Sequence, residues 1–516
     1  MNYFVLENPH RQSELDYDGS FHSNLWSAMD TIERSDAEVT LLYEGDSWGK
    51  VIPTLPDEWS SYDVLHCGLN LGGDNVFNNL WYLSVNWLFL NPRSDKISTS
   101  WKATPQWCMI RPGQVRAIGG FDRAYQSAEA ALMDFAYRLL LAGGRVCHIP
   151  TAGYAQAEVK INLVDELLFI IRRIKKRAAV YASFWMVINS LRFLKTINSL
   201  RIAIKISNKF SLPESITPDQ INTHLLTKTE HQKVTKISAI IPTIGRYDYV
   251  QKSIDSLLNQ VPAPDEILVI DQTPEVERNQ EVYSQYDPSE VRVFYLDEAG
   301  QSIARNFGIE KAKYEWILLF EDDAAAWDDM MKNHINVIEH SMAVASTGVS
   351  LAPWKDKSYI PEDRRHIQIS NVFSTGICLI KKDALESVNF LDRAYDKGSG
   401  ADHDLGLRLY LNGDEIIFNP GAIHTHYKAP RGGLRTFGVF WRNTVKWFGS
   451  YPQPTLIYTT QRFYPRKYWL AQHLLYYFNA NKNKLSPALI WLWLSMPIRL
   501  MRSLLKAKHL HKLRSV

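Results

Sequence analysis

The chain has 516 residues, 46% of them hydrophobic and 22% charged, which excludes a disordered protein and leaves room for about two to four domains. Basic residues (58) nearly balance acidic ones (55), but residues 416–516 hold 16 lysines and arginines and no acid, leaving 42 basic against 55 acidic in the first 415, a net of −13. No run of about 20 clean apolar residues marks a membrane span, and the opening MNYFVLENPH does not read as a signal peptide. Cys67, Cys108, Cys147 and Cys378 form no CxxC, so a disulfide framework or cysteine zinc site is not expected and a reducing, cytoplasmic setting is.

In chain order, the first informative blocks recur later. TIERSDAEVTLLYEGD (31–46) matches GIEKAKYEWILLFEDD (308–323) at an offset of 277, and residues 103–156 align without gaps to 373–426 at an offset of 270. Identities include Cys108/Cys378, Asp122/Asp392, Tyr125/Tyr395, Asp134/Asp404, Arg138/Arg408 and Pro150/Pro420. Two collinear blocks predict a duplication. Residues 1–156 are then a degenerate copy, and 236–450 a longer second one. Between them, 157–235 is an apolar, basic helical stretch followed from 208 by a polar linker with Pro213 and Pro218.

The second copy alternates strands and helices. Strands are expected at Ile237–Ile241, Ile267–Ile270, Arg292–Leu296 and Trp316–Phe320, and helices at Asp248–Asn259 and Gln301–Lys311. This predicts an α/β domain with a mostly parallel sheet and ligands at its C-terminal strand ends. Residues 451–516 form a basic, aromatic helical tail. Its uncharged run Leu485–Ile498 is too short to span a bilayer and is followed by Arg499, Arg502, Lys506, Lys508, Lys512 and Arg514. That pattern suits an anionic membrane surface better than nucleic acid, the plainer alternative being a basic helix packed on its own domain.

The expected strand ends carry polar residues. Pro242, Thr243 and Arg246 follow the first strand and Asp271 the second; their polar groups can hold a nucleotide. Arg305 and Asn306 lie near a helix start, where free N–H groups suit a diphosphate. Glu321, Asp322 and Asp323 end the hydrophobic strand WILLF, and hard oxygen ligands there suit Mg²⁺ or Mn²⁺.

IIPTIGRYDYVQKSIDSLLNQ, EILVIDQT, AGQSIARNFGI, WILLFEDDA, GADHDLGLRLYLNG and HYKAPRGGLR occur in an order that resembles the family 2 glycosyltransferases of the GT-A fold. The resemblance covers Lys236 to about Tyr451. It implies a nucleotide-sugar donor, a Mn²⁺ or Mg²⁺ ion held by Glu321 and Asp323, with Asp322 on the donor, and inversion at the anomeric carbon. A catalytic base must deprotonate the acceptor hydroxyl. Asp404 matches Asp134, which persists in the copy lacking the donor half, so it is expected to be mainly structural. Asp402 matches Leu132 and is taken as the base, in agreement with the family's Glu-Asp motif, whose Glu is Ala401 here. His403 replaces Met133 and is a candidate acceptor contact. His424 and His426 match Tyr154 and Gln156; the family pattern makes His426 the metal ligand. Lys428, Arg431 and Arg435 form a basic loop able to close over the diphosphate.

The function this reading predicts is a membrane-associated, inverting, metal-dependent transferase building a bacterial surface glycan, peripheral on the cytoplasmic face. Its acceptor would be a glycan or a lipid-linked saccharide. Two rivals stay open. One is a noncatalytic glycan-binding or scaffold protein, opposed by the intact acidic triplet, Asp402 and His426. The other is a sugar nucleotidyltransferase, which wants a Gly-rich N-terminal loop that IPTIGRYDY does not supply.

Overall fold

A computed structural model describes residues 3–7, 19–44, 57–83, 86–150, 159–190, 192–213, 224–227, 231–396, 398–430, 452–481 and 494–514. These residues form two compact units. One comprises residues up to 229 with the short segments 366–369 and 410–415; the other holds the remainder.

The first unit contains strands β1 (Tyr3–Glu7), β2 (Gly19–His22), β3 (Thr40–Glu44), β4 (Val64–His66), β5 (Ser98–Thr99), β6 (Trp107–Ile110) and β7 (Val146–His148). Its helices are α1 (Leu25–Arg34), α2 (Pro112–Ala117), α3 (Ala128–Leu141), α4 (Leu163–Arg173), α5 (Lys176–Ser190) and α6 (Phe193–Lys209). The sheet order is β2-β1-β3-β6-β4-β7-β5. Only the β4–β7 pair is parallel among the pairings described. Part of the expected linker is docked: His224 bonds Asp63 through its ring Nδ1 (2.7 Å) and its backbone N–H (3.0 Å), and Leu225 is buried.

The second unit runs β8 (Ile237–Thr243), α7 (Tyr247–Leu258), β9 (Glu266–Asp271), β10 (Val291–Tyr295), α8 (Gln301–Lys311), β11 (Trp316–Phe320), β12 (Ala324–Ala326), α9 (Met330–Glu339) and β13 (Ala345–Leu351). After β14 (Gln368–Ile369), which falls in a short segment grouped with the first unit, there follow β15 (Ile377–Lys381), α10 (Lys382–Ser387), α11 (Ala401–Leu411), β16 (Ile416–His426), α12 (Pro454–Phe463), α13 (Arg466–Asn481) and α14 (Met496–Arg514). The strand WILLF is buried at every position because helices cover both faces of a sheet's centre. Helix α7 turns Val250, Ser253, Ile254 and Leu257 inward at helical spacing. Helix α8 lies so close to β8 that a Cβ on Gly308 would come within 2.5 Å of Ile240.

The sheet order is β10-β9-β8-β11-β15-β13-β16-β12. The expectation of a mostly parallel sheet holds in part: β10, β9, β8 and β11 are mutually parallel and β13 pairs parallel with β16, but β15 runs antiparallel between β11 and β13, and β12 pairs antiparallel with β16. The sheet is mixed. Periodicity reports which faces are buried and is silent on direction; β15 reverses because of which neighbours it pairs with, a non-local choice.

The path β3-β6-β4-β7 repeats as β11-β15-β13-β16, with the same antiparallel, antiparallel, parallel sequence of pairings. The registers also correspond: Leu42 faces Cys108 as Leu319 faces Cys378, and Val64 faces Val146 as Ala345 faces Ile416. Where the second unit continues into parallel β8, β9 and β10, the first has antiparallel β1 and β2.

In the tail, α14 packs Ala507 and Leu510 with Ala394, Tyr395, Ile457 and Tyr458, leaving Ile498, Met501, Leu504 and Leu505 exposed. Residues 482–493, most of the uncharged run, lie outside the described residues. No helix among the described residues is long and apolar enough to cross a membrane.

Candidate active site

Strands β8, β9 and β11 end side by side, so the residues after them share one crevice. Glu321, Asp322 and Asp323 follow β11. Short β12 then pairs Ala324 with His426 of β16, which brings that histidine to the acids from about 100 residues away. His426 Nε2 lies 3.3 Å from Asp323 Oδ1 and 3.7 Å from Glu321 Oε2. Glu321, Asp323 and His426 each offer one ligand atom, all within 4.8 Å of one another. The chain after His426 wraps the same acid: Tyr427 N–H donates to Asp323 O (2.8 Å) and Ala429 N–H to Asp323 Oδ2 (2.9 Å). Lys428 between them takes φ 57°, a left-handed conformation that non-glycine residues adopt where the surroundings impose it.

Electrostatics follow from this crowding. Burial pushes the Glu321 carboxyl up, and Asp323 and Asp402 add to the rise against His426 and Arg305. Burial works the same way on Asp323, but bonding to His426 and the Ala429 amide holds it below the usual range. The hydrogen bond with Asp323 raises His426 against burial. The donor set, two carboxylates and an imidazole, is the chemistry that suits Mn²⁺ or Mg²⁺.

Asp402, at the start of α11, is half-buried. Its Oδ1 accepts from the Thr375 hydroxyl and from the Thr375 N–H at 3.3 Å. Arg305 joins the same point, donating from Nη2 to Thr375 O at 3.3 Å. Its side chain is buried, and its Nε and Nη1 have no hydrogen-bond partner among the described residues. Beside it, a Cβ on Gly376 would sit 2.5 Å from Glu321 Cδ, so only glycine leaves room for that carboxylate. The structure therefore brings Glu321, Asp323, Arg305, Asp402 and His426 together.

Other expected residues have partners within the protein. Thr243 and Arg246 bond the two oxygens of Asp322 at 2.9 and 2.7 Å, and Arg246 Nη1 also lies 3.4 Å from Asp323 Oδ2, so the turn after β8 is tied to the acids. Pro242 lies in register with Ile270 at the strand ends. Asp271 is fully buried and accepts from Thr273 N–H (2.9 Å), the Thr273 hydroxyl, Tyr247 OH (3.1 Å) and Tyr283 OH (3.2 Å). It fixes two tyrosines rather than presenting a bare carboxylate. Asn306 clamps Leu391, donating to its carbonyl (2.8 Å) and accepting from its N–H (3.0 Å). The expected anion site at the start of α8 is already filled, because Asp396 accepts from the Ser302 N–H.

His424 is buried, its ring edge-on to Phe320 at 5.5 Å, and neither nitrogen has a partner among the described residues. Burial lowers it to about 3, which keeps it neutral. It lies outside the three-residue group. His403 is half-buried, and burial lowers it against Asp404 and Asp402. Asp404 accepts from Tyr395 OH (3.1 Å) and Arg408 Nε (2.7 Å) and pairs with Arg462. Arg431 and Arg435 lie outside the described residues. Sequence reasoning missed Thr375, Gly376, Tyr247 and Tyr283. The internal alignment held a signal for the first two: they match Pro105 and Gln106, which can supply neither that hydroxyl nor that space.

Comparison with known proteins gives a family for part of the chain. Residues 238–386 match the family model described as Glycosyl transferase family 2. The chain is 26% identical over 191 residues to the O-antigen biosynthesis glycosyltransferase WbnJ of Escherichia coli, spanning 34% of this chain and 73% of that one. It is 27% identical over 119 residues to the putative teichuronic acid biosynthesis glycosyltransferase TuaG of Bacillus subtilis (22% and 47%). It is 24% identical over 242 residues to a poly-beta-1,6-N-acetyl-D-glucosamine synthase of Staphylococcus epidermidis (44% and 57%). The matches thus span from about half to about three quarters of these relatives' lengths. A structure of S. aureus TarS 1-349 with UDP-GlcNAc aligns at 15% identity and a TM-score of 0.38, over 55% of this chain and 88% of that one, too distant to bear on the site. The chain therefore carries, over residues 238–386, a glycosyltransferase family 2 domain, the module of a sugar-transferring enzyme.

Proposed function

We propose that the second unit transfers a sugar, with inversion, from a nucleotide-sugar donor to a saccharide acceptor during synthesis of a bacterial surface polysaccharide. The observation that carries this is the convergence of Glu321, Asp323 and His426 with Asp402 a short way along the same crevice. A divalent cation held by those three would offset charge on the leaving diphosphate. Asp402, with one oxygen fixed by Thr375, would take the acceptor's proton. Arg305, buried with its Nε and Nη1 unmet among the described residues, suits an anionic ligand beside them. The relatives named for O-antigen and teichuronic acid biosynthesis support a cell-surface product.

Beyond His426 the crevice continues as a cleft of about 330 Å³ lined by Lys355, Tyr359, Arg364, Phe418 and Lys428. Trp354 stands beside it, 69% exposed, with the Lys428 ammonium 5.5 Å from its ring. An exposed ring next to a transferase crevice suits stacking on a sugar, so this is where the acceptor is placed. The shared strand path and registers support reading the first unit as a truncated copy without a donor half. The exposed face of α14 supports a contact between the tail and a membrane.

The testing experiment is a thermal-shift screen of nucleotide sugars with and without Mn²⁺, on the wild type and Asp323→Ala. A donor at about 100 Kd stabilises by about 2.7 kcal/mol. Metal-dependent stabilisation by one donor, lost in the variant, is expected. A stabilisation that ignores both metal and Asp323 would overturn the assignment of the site.

A further inference from the structure

Helix α5 has two unlike sides. Ala179, Ala182, Ser183, Trp185 and Met186 face inward. Val180, Phe184 and Ile188 face solvent, at 50%, 57% and 47% exposure. Spaced four residues apart, they form one stripe along the helix. The exposed apolar surface resumes at the start of α6 with Phe193, Leu194 and Ile197, while Thr196, Ser199 and Ala203 turn inward. Single exposed apolar residues are ordinary. Six within residues 180–197, three of them in one helical stripe, are not.

Charge selects the occupant. Residues 167–213 contain ten lysines and arginines and no aspartate or glutamate. Lys175, Lys176 and Arg177 at the start of α5 are exposed, as are Arg192, Lys195, Arg201 and Lys205 on and just before α6. Lysine is depleted from the cores of protein–protein interfaces. Lysine and arginine flanking phenylalanine and leucine are the composition of a helix lying in a bilayer interface. Neither helix is long and apolar enough to cross a membrane.

We propose that α5 and the first turns of α6 form a peripheral membrane-binding face, selective for an anionic bilayer surface. Val180, Phe184, Ile188, Phe193, Leu194 and Ile197 enter the headgroup region, and the surrounding cations meet lipid phosphates. This face belongs to the first unit and is separate from the tail. It gives that unit, which has no counterpart of parallel β8, β9 and β10 among the described residues, a task of its own: holding the enzyme at a surface.

The test uses the full-length chain and sedimentation with vesicles of equal parts phosphatidylglycerol and phosphatidylcholine, against phosphatidylcholine alone. The wild type is expected to bind the anionic vesicles and to be released by salt. The triple variant Val180→Ser, Phe184→Ser, Ile188→Ser and the triple variant Lys175→Glu, Lys176→Glu, Arg177→Glu should each bind on the order of tenfold more weakly or worse. A second readout needs no destabilising change. The four native cysteines are all buried, so an environment-sensitive dye on Phe184→Cys reports this face alone and should move to an apolar signal on anionic vesicles. Unaltered binding by both triple variants, or a dye that ignores the vesicles, would overturn the proposal. So would loss of binding through Met501→Ser, Leu504→Ser, Leu505→Ser alone, which would assign attachment to the tail. A concentration-dependent dimer that buries the dye without lipid would assign the face to a second copy instead.

Discussion

Asp402 and Asp404 stand two residues apart on α11 and meet different surroundings. Asp404 has no exposed surface and is bonded by Tyr395, Arg408 and Arg462. Asp134 is held in the same way by Tyr125, Arg138 and Arg173. Asp402 is half-buried at the crevice and held by Thr375 alone among the described contacts. The two therefore fail differently. Asp402→Asn should lower kcat by about 10² to 10⁴ while donor binding in the thermal-shift assay persists. Asp404→Asn should cost about 3–5 kcal/mol in denaturant unfolding by leaving the Arg408 guanidinium without a carboxylate and Arg462 with Asp392 alone, with turnover per folded molecule largely kept. If Asp404→Asn were instead stable and inactive, the roles would be reversed. The difference in surroundings was legible from the sequence because Asp134 persists at the position of Asp404, whereas Leu132 stands at that of Asp402. The fate of Asn306 and of the α8 N-terminus was not. Their partners, Leu391 and Asp396, are 85 and 94 residues away, and no local pattern announces a remote side chain filling a helix cap.

Among the elements, boundaries were more legible than directions. Gln301–Lys311 and Trp316–Phe320 fold as the sequence predicts because apolar periodicity and a fully buried run are local signals. The reversal at β15 is not local, and the arrival of β16 beside β12 is what places His426. The segment after β13 carries another consequence. Its chain passes Trp354, Lys355, Tyr359 and Arg364 around the cleft beyond His426, and the Lys355 and Lys428 ammoniums lie over the Tyr359 and Trp354 rings. Trp354→Ala removes an exposed ring and should leave the fold intact. With acceptor placed there, KM for the acceptor should rise on the order of tenfold, the loss of one sugar–ring contact, while KM for the donor stays put. A donor KM that rises equally would move this loop to the nucleotide side of the site.

At the scale of the whole molecule, buried histidines contribute to how the chain answers to acid. In the first unit burial lowers His66 to about 3 and His148 to about 4; in the second it lowers His334 to about 3 and His473 to about 4. Each is kept neutral when folded, whereas the unfolded chain protonates it near 6.5. Between those values the unfolded state binds more protons at these histidines, so their contribution to stability is complete above about pH 6.5 and is lost as pH drops toward 4. Each histidine contributes a slope of up to about 1.4 kcal/mol per pH unit in that window. His334 shows the effect by itself: it is fully buried, bonded through Nδ1 to Ser346 Oγ at 2.9 Å. His334→Gln should lower stability at pH 7 and flatten its decline toward pH 5, so the wild-type and variant curves converge in acid. Because the histidines are divided between two compact units, calorimetry adds a second reading. If the units unfold separately, the variant flattens only the transition of the second unit and leaves that of the first, with His66 and His148, as steep as before. A variant curve parallel to the wild type across the whole window would mean that His334 keeps an ordinary pKa when folded, and that burial alone does not govern the acid response.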